Sequence, residues 1–295
     1  MKDRHGEGGR AGGRDPAGAR MASRKEQGMI TIVGELINTS RAEVNEAVDN
    51  RDEAKIRELA RNQADAGATY IDVNCGSRVH DELEVMEWLV HIVQDEVSTP
   101  ICFDSPNHLA LAKGLEVYKG TDSMINSISG EEGRYETIFP LVKQYGSKIV
   151  LLCMDSTGMP ETCGDRMKVV DDLYARLKED GVDDDQMYFD ALVKPVSSIT
   201  QAGAEVLATN RAIKEKYPET HQILGLSNIS FGLPKRARLN RVFTVQTMTE
   251  GVDGYILDPT NKEHMADIIT AETLLGRDPY CKQYLKANRK GKFDF

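Results

Sequence analysis

The chain contains 295 residues, of which 40% are hydrophobic and 28% charged, and its formal net charge at pH 7 is −10. This composition excludes a collagenous, membrane-embedded or largely disordered protein. The negative charge, with no basic stripe beyond residue 30, disfavours a nucleic-acid-binding protein. Five cysteines are too few for a disulfide scaffold, and no secretory apolar segment opens the chain, so we expect a soluble, cytoplasmic protein.

The first 28 residues differ in composition from the rest. They include seven glycines, seven basic and four acidic residues, and no large apolar side chain except methionine. Such a segment cannot bury enough apolar surface to offset the entropy of ordering. We therefore predict that residues 1–28 are a disordered tail, either a tag remnant or an over-extended start, and that a single domain covers residues 29–295.

Beyond Met29, short apolar segments alternate with longer amphipathic ones. The apolar segments predict eight strands, at Ile30–Gly34, Tyr70–Val73, Ile101–Phe103, Ser123–Ile125, Lys148–Met154, Met187–Phe189, Ile223–Leu226 and Gly254–Leu257. The amphipathic segments predict eight helices, at Glu53–Ala66, Asp81–Val97, Leu109–Val117, Arg134–Tyr145, Arg166–Glu179, Gln201–Lys216, Arg241–Glu250 and Lys262–Leu275.

Strict alternation of strand and helix predicts an α/β fold with a parallel sheet. Eight such units in this length favour a closed (β/α)8 TIM barrel. The alternative is a doubly wound open sheet, which usually places a G-x-G-x-x-G turn after its first strand. The corresponding segment reads Gly34-Glu35-Leu36-Ile37-Asn38 and lacks that pattern.

An Asn or Asp follows or ends every predicted strand. In order these residues are Asn38, Asn74, Asp104, Asn126, Asp155, Asp190, Asn228 and Asp258. Any one of them could be a turn or capping residue. Eight in eight positions, at the end of a barrel where chemistry is usually found, favour a ligand site.

The composition of this ring limits its ligand. Lys and Arg are absent from most strand ends and there is no P-loop, so a phosphate-rich ligand fits poorly. No H-x-x-x-H or C-x-x-C spacing occurs, although three carboxylates with amides could hold Mg²⁺. A neutral heterocycle with several N–H donors fits better, because a carboxylate accepts paired N–H bonds from an amino-lactam edge.

Eight stretches carry a resemblance to a known family. They are Gly34-Glu35-Leu36-Ile37-Asn38, Asp72-Val73-Asn74-Cys75-Gly76, Met86-Glu87-Trp88-Leu89-Val90, Asp104-Ser105-Pro106-Asn107, Met124-Ile125-Asn126-Ser127, Thr157-Gly158-Met159-Pro160, Gly225-Leu226-Ser227-Asn228-Ile229-Ser230 and Leu239-Asn240-Arg241-Val242-Phe243. In order and spacing the chain resembles the pterin-binding TIM-barrel methyltransferases. The nearest are the methyltetrahydrofolate:corrinoid/iron–sulfur protein methyltransferases, and the methyltetrahydrofolate domain of cobalamin-dependent methionine synthase is also similar.

The resemblance implies roles for individual residues. Asp104, Asn126 and Asp190 match the residues that hydrogen-bond the pterin, and Asn228 matches the Asn that contacts nitrogen 5 of the methyl donor. The remaining matches are Ser227 and Arg236, which would shape the pocket, and Glu35, Asn38 and Asn74, which would line the barrel mouth. Two positions depart from the family pattern: Leu36 replaces a common Arg, and Phe231-Gly232 follows Ser230.

The implied reaction is methyl transfer between tetrahydrofolate and a corrinoid, in either direction. Hydrogen bonding that strengthens as nitrogen 5 gains a proton would accelerate it, and Asn228 is the candidate group. The D-x-H-x-x-G signature of cobalamin-binding modules is absent, so the corrinoid is expected on a separate protein. The resemblance also implies a homodimer, and we expect no metal bound by this chain.

Two alternatives stay open. A dihydropteroate synthase-like condensing enzyme would share the pterin pocket, but its first loop usually reads N-V-T-P-D-S-F where this chain has Ile37-Asn38-Thr39-Ser40-Arg41. A non-catalytic folate-binding accessory subunit would keep the pterin contacts without needing Asn228.

Overall fold

The computed structural model describes residues 30–295, which form a closed barrel of parallel strands. In chain order the strands are β1 Thr31–Asn38, β2 Tyr70–Asn74, β3 Ile101–Asp104, β4 Ser123–Gly130, β5 Lys148–Asp155, β6 Met187–Asp190, β7 His221–Leu224 and β8 Gly254–Leu257. Each strand pairs with the next, and β8 closes the ring against β1. The predicted TIM barrel is confirmed, whereas the proposed tail at residues 1–28 lies outside the described part of the chain.

Helices follow the strands around the outside of the barrel. Within residues 30–295 the α-helices are Ala42–Asp49, Glu53–Ala66, Glu82–Glu96, His108–Val117, Arg134–Tyr145, Cys163–Glu179, Ala202–Lys216, Arg236–Thr249, Lys262–Leu274 and Lys282–Arg289. Eight of them correspond to the predicted helices. The first and last were not predicted, because each has only eight residues, which is too short for a clear periodic signal.

Three helices begin earlier than the sequence periodicity indicates: the helix after β3 begins one residue earlier, at His108, and two others begin earlier by a larger margin that affects the barrel mouth. The helix after β5 begins at Cys163 because Thr162 and Asp165 form a reciprocal capping box. The helix after β7 begins at Arg236 rather than Arg241. Its first turn therefore lies next to the short 3-10 segment Leu226–Ser230, which follows β7.

Apolar side chains cover both faces of the sheet, inside the barrel and between the strands and the helices. Inside it, one buried cluster consists of Val33, Tyr70, Cys102, Met124, Val150, Tyr188 and Ile223. Between the strands and the helices, two larger clusters bury the opposite face of the sheet. Because the middle of the barrel is packed with side chains, polar chemistry is confined to its ends.

Gly114 is a sensitive packing position, since it lets the helix His108–Val117 approach β3 closely. A Cβ at residue 114 would lie 2.7 Å from Cδ1 of Phe103 and 3.0 Å from Cγ of Met86, both fully buried. We expect Gly114→Ala to lower the free energy of unfolding by about 1–2 kcal/mol, because overpacking outweighs the better helix propensity of alanine. Urea denaturation measures the change.

Gly164→Ala is the matched control for that measurement. Its added Cβ would have only the Oγ1 of Thr162 nearby, at 3.7 Å, so stability should hold or rise slightly. Equal unfolding midpoints for the Gly114→Ala variant and the wild type would show that the contact with β3 is not tight.

Candidate functional site

The polar ring lies at the carboxyl ends of the strands, as expected. Five members are the last residues of β1, β2, β3, β5 and β6: Asn38, Asn74, Asp104, Asp155 and Asp190. Asn126 lies inside β4, which continues for four more residues, but it is in register with Asp104. Asn228 and Asp258 follow β7 and β8. The ring thus surrounds a single barrel mouth.

Five members of the ring accept a hydrogen bond from the backbone N–H two residues later, as in an Asx turn: Asn38, Asn74, Asp155, Asp190 and Asp258. Asp155 Oδ1 and Asp258 Oδ1 also accept from the hydroxyls of Thr157 and Thr260, both at 2.6 Å. For these two, the turn alternative explains the residue type. Asn38 lies at the mouth, but its side-chain oxygen is engaged by the N–H of residue 40 at 2.9 Å.

On one side of the mouth, Asn74, Asp104 and Asn126 form a connected group. Asn74 Nδ2 donates to Asp104 Oδ2 at 2.8 Å, and the register places Asn126 beside Asp104. Burial raises the pKa of Asp104 to about 6, while the Asn74 hydrogen bond and the charge of Arg134 oppose that rise. The Asn126 amide makes no hydrogen bond within residues 30–295, so it remains free for a ligand.

Further round the ring, Asp190 and Asn228 both bind the backbone that follows β6. Asp190 Oδ1 accepts from the N–H of Leu192 at 2.8 Å, and Asn228 Nδ2 donates to the carbonyl oxygen of Val193 at 2.9 Å. Burial raises the pKa of Asp190 to about 6, while backbone hydrogen bonds from Leu192 and Gly225 and, to a smaller extent, the charge of Arg166 oppose the rise. These bonds bring the predicted pterin-binding carboxylate and the predicted catalytic amide to one segment.

The loop that carries Ser227 and Asn228 is held by Arg236. The guanidinium donates to the carbonyl oxygen of Ser227 at 2.8 Å and to Ser230 Oγ at 3.1 Å. Arg236 therefore shapes this part of the mouth by fixing its backbone.

Two more arginines do similar work, and sequence reasoning had placed both only at helix starts. Arg134 donates to the carbonyl oxygens of Ser127 and Ser105, and buried Arg166 donates to those of Ala191 and Leu192. Each lies in the first turn of a helix, where the helix dipole disfavours a cation. An arginine at such an unfavourable position was the feature of the sequence that could have indicated a structural role for Arg134 and Arg166.

Two further carboxyl groups lie at or beneath the mouth. Glu35 is half-buried, and burial raises its pKa to about 7. Asp72 is 1% exposed, and its Oδ1 has no hydrogen-bond partner. Burial, with the nearby charges of Asp104 and Glu35, holds the pKa of Asp72 well above its usual range. No role was predicted for Asp72, which entered only as part of the stretch Asp72-Val73-Asn74-Cys75-Gly76, although a carboxyl between Ile71 and Val73 in a buried strand was a signal.

The two departures from the family pattern have different settings. Leu36 is buried in the outer core, and its backbone N–H donates to Gln63 Oε1 at 2.9 Å. The Leu36 side chain therefore packs between strand and helices instead of facing the mouth. Phe231 is exposed, and Gly232 has φ of +78°, which suits glycine.

The mouth is suited to a neutral polar ligand. It offers carboxylate acceptors at Asp104 and Asp190 and a free side-chain amide at Asn126, while Arg134, Arg166 and Arg236 donate to backbone carbonyl oxygens. In the described part of the chain, no group of three or more His, Cys, Asp or Glu side chains could hold a metal ion. No helix there is long and apolar enough to cross a membrane.

Comparison with known proteins agrees with this site. A family model described as pterin binding enzyme matches residues 34–258. Over 265 residues the chain is 35% identical to a methylcorrinoid:tetrahydrofolate methyltransferase of Eubacterium limosum, covering 89% of this chain and 97% of that protein. Over 241 residues it is 28% identical to methionine synthase of Mycobacterium tuberculosis, covering 77% of this chain and 20% of that protein.

A solved structure of dihydropteroate synthase from Clostridium difficile superposes with a TM-score of 0.63 at 16% identity, covering 83% of this chain and 97% of that one. That likeness concerns the fold alone. The family match and the relative of similar length define the class: the chain belongs to the pterin-binding enzyme family. The resemblance expected from the sequence, including the similarity to corrinoid-dependent methyltransferases, is confirmed.

Asp72→Asn tests whether residue 72 holds a proton in the folded protein. A carboxyl whose pKa is raised by folding loses its stabilising contribution as pH rises, because only the unfolded state then releases the proton. Asparagine does not titrate. We therefore expect the Tm of the variant, relative to wild type, to increase between pH 5 and pH 8. A constant difference in calorimetry across that range would mean that Asp72 is ionised.

Proposed function

We infer that this chain is a methyltransferase that moves a methyl group between nitrogen 5 of tetrahydrofolate and the cobalt of a corrinoid carried by a separate protein. The inference is supported by similarity to a methylcorrinoid:tetrahydrofolate methyltransferase along 97% of that protein. The observation that carries it is the adjacency of Asp190 and Asn228, which place a pterin acceptor and an amide for nitrogen 5 on one segment.

The pterin binds through its amino-lactam edge to Asp104, Asn126 and Asp190. With pKa values of about 6, both carboxyls are mainly ionised at pH 7 and accept N–H bonds. Asn126 supplies both a donor and an acceptor. The rest of the pocket is formed by Glu35, Asn38, Asn74, Ser227 and Arg236.

Asn228 acts at nitrogen 5. Its Nδ2 is bound to Val193, which orients the amide and leaves Oδ1 free to accept from a protonated nitrogen. That bond is stronger when nitrogen 5 carries a proton, so it stabilises the transition state more than the bound folate. Asn228 cannot be the net proton source, because an amide does not titrate in this range.

The corrinoid is a second substrate and supplies the cobalt that gives or receives the methyl group. The sequence lacks the D-x-H-x-x-G signature, which supports a corrinoid-binding partner protein that docks over the mouth. We also propose a homodimer in the cytoplasm, with no metal bound by this chain. Whether the methyl group moves to or from tetrahydrofolate depends on whether the partner protein brings a methylated or an unmethylated corrinoid.

The dihydropteroate synthase alternative is less well supported. It rests on fold similarity at 16% identity, and it requires cations for a diphosphate. Arg134 and Arg166, whose charges act on Asp104 and Asp190, donate to backbone carbonyl oxygens instead. A non-catalytic accessory role is disfavoured by the orientation of Asn228.

Asp190→Ala should weaken tetrahydrofolate binding, because the pterin N–H groups lose a buried acceptor. We expect a loss of about 1–3 kcal/mol, which is roughly a 5- to 150-fold rise in Kd, measured by fluorescence titration. Asp155→Ala is the control, since Asp155 also ends a strand but its carboxylate forms a surface turn with Thr157. Equal Kd values for the two variants would show that Asp190 does not contact the folate.

Asn228→Ala should reduce turnover far more than folate binding. With free methylcobalamin and tetrahydrofolate, or cob(I)alamin and 5-methyltetrahydrofolate, visible spectroscopy follows the methylation state of cobalt. We expect the rate at saturating folate to fall about 10²-fold and Kd to change less than about threefold. If rate and affinity fall together, Asn228 is a binding residue only.

A further inference from the structure

Glu35 is an ionisable group in the mouth without a protein partner. Its carboxyl has no hydrogen bond or ion pair with any residue between 30 and 295. The groups that influence its charge are Arg41, next in the loop after β1, and Asp258, just after β8. Arg41 favours the ionised form, whereas burial and Asp258 favour the protonated form. Glu35 is therefore free to exchange a proton with water or with a ligand.

The strand order places Glu35 between the two polar groups of the mouth. Asp104 and Asn126 belong to adjacent β3 and β4, whereas Asn228 follows β7. One strand, β8, separates β7 from the strand that carries Glu35, and one strand, β2, separates that strand from β3. A pterin that contacts both Asp104 and Asn228 therefore lies beside the strand that carries Glu35.

Asp72 lies beneath this region and limits which acid can titrate. It shares the inward face of β2 with Asn74 and is paired in register with Cys102. Glu35, Cys102 and Asp104 are the titratable groups that face it. Asp72 Oδ1 has no hydrogen-bond partner, and burial holds the pKa of Asp72 well above its usual range, although a hydrogen bond with Cys102 opposes the rise. Asp72 is 1% exposed, whereas Glu35 is only half-buried, so Glu35 is the carboxyl of this pair that can exchange a proton with water.

We propose that Glu35 is the acid–base group that supplies or removes the proton at nitrogen 5 through a bridging water, a role that rests on the proposed methyltransferase function. In transfer to the corrinoid, the N5–CH3 bond breaks and an electron pair from reduced cobalt forms the cobalt–carbon bond. The nitrogen 5 lone pair takes the proton of Glu35, whose carboxylate then recovers one from solvent. In the opposite direction, the methyl group leaves cobalt for nitrogen 5, and Glu35 accepts the released proton.

The pKa of about 7 at Glu35 supports this role, because an acid–base group works best when its pKa is near the operating pH. Whether the rate rises or falls with pH depends on the direction of methyl transfer. Transfer from 5-methyltetrahydrofolate needs the protonated acid, so its rate falls as pH rises above about 7. Transfer to tetrahydrofolate needs the carboxylate, so its rate rises over the same interval.

The first test compares Glu35→Gln with wild type in both directions between pH 6 and pH 9, with free cob(I)alamin or methylcobalamin as the probe. We expect the variant to lose about 10²-fold in rate and to lose the inflection near pH 7, with folate binding retained. Glu46→Gln is the control, since Glu46 is exposed on the nearby helix Ala42–Asp49 and its carboxylate makes no hydrogen bond within the described residues.

A second measurement does not require the corrinoid. Tetrahydrofolate binding is titrated calorimetrically at pH 7 in two buffers with different heats of ionisation. Covering Glu35 with a pterin raises its pKa further, so wild type should take up about half a proton per folate. Glu35→Gln should take up none, whereas Asp72→Asn should retain the uptake.

The outcomes separate this inference from the function on which it rests. If wild type binds no folate, the proposed function fails and this proposal fails with it. If folate binds and methyl transfer occurs, but Glu35→Gln keeps both the inflection and the proton uptake, the role of Glu35 alone is wrong. The proposed role of Glu35 would also be wrong if Asp72→Asn, and not Glu35→Gln, abolished the proton uptake on folate binding.

Discussion

The barrel mouth depends on a balance between buried carboxyl groups and arginine charges. Glu35, Asp104 and Asp190 are withdrawn from water, which by itself would protonate all three. Each has one arginine whose charge opposes that effect: Arg41 for Glu35, Arg134 for Asp104 and Arg166 for Asp190. None of these arginines forms an ion pair with its carboxyl. They act through space and do not occupy the carboxyl oxygens, of which Asn74 binds one in Asp104 and Leu192 binds one in Asp190.

The arginines also explain why the loops at the mouth are fixed in place. Arg134 joins the segments after β3 and within β4, Arg166 holds the segment after β6, and Arg236 holds the segment after β7. All three guanidinium groups bind carbonyl oxygens from first-turn positions that a helix dipole disfavours. The hydrogen bonds offset the electrostatic cost of placing these arginines at helix starts. They also hold the loops of the site in position before a ligand binds, and such preorganisation favours catalysis by differential binding.

The sequence predicted the barrel because strand–helix alternation reports burial on the two faces of the sheet, and it placed Asp104, Asn126, Asp190 and Asn228 around one mouth. It could not rank the ring members. Asp155 and Asp258 look the same in sequence as Asp190, and all three accept from the N–H two residues later. Only the structure shows that the first two also bind the hydroxyls of Thr157 and Thr260, whereas Asp190 is buried. The arginine contacts are long-range and leave no periodic signal. No role was predicted for Asp72 because only the residues at the strand ends were considered, and Asp72 lies two positions before Asn74, the last residue of β2.

The same balance accounts for the kind of ligand that the mouth favours. A diphosphate would need guanidinium or ammonium groups with free N–H donors, but those of Arg134 and Arg166 are committed to the backbone. What the mouth leaves open are acceptors, a free amide and one carboxyl that titrates near neutrality. This set suits a neutral heterocycle whose reaction consumes or releases a single proton. Fold similarity to dihydropteroate synthase at 16% identity therefore does not imply its chemistry, because fold and site chemistry are separate properties and the guanidinium groups of Arg134 and Arg166 are directed at the backbone.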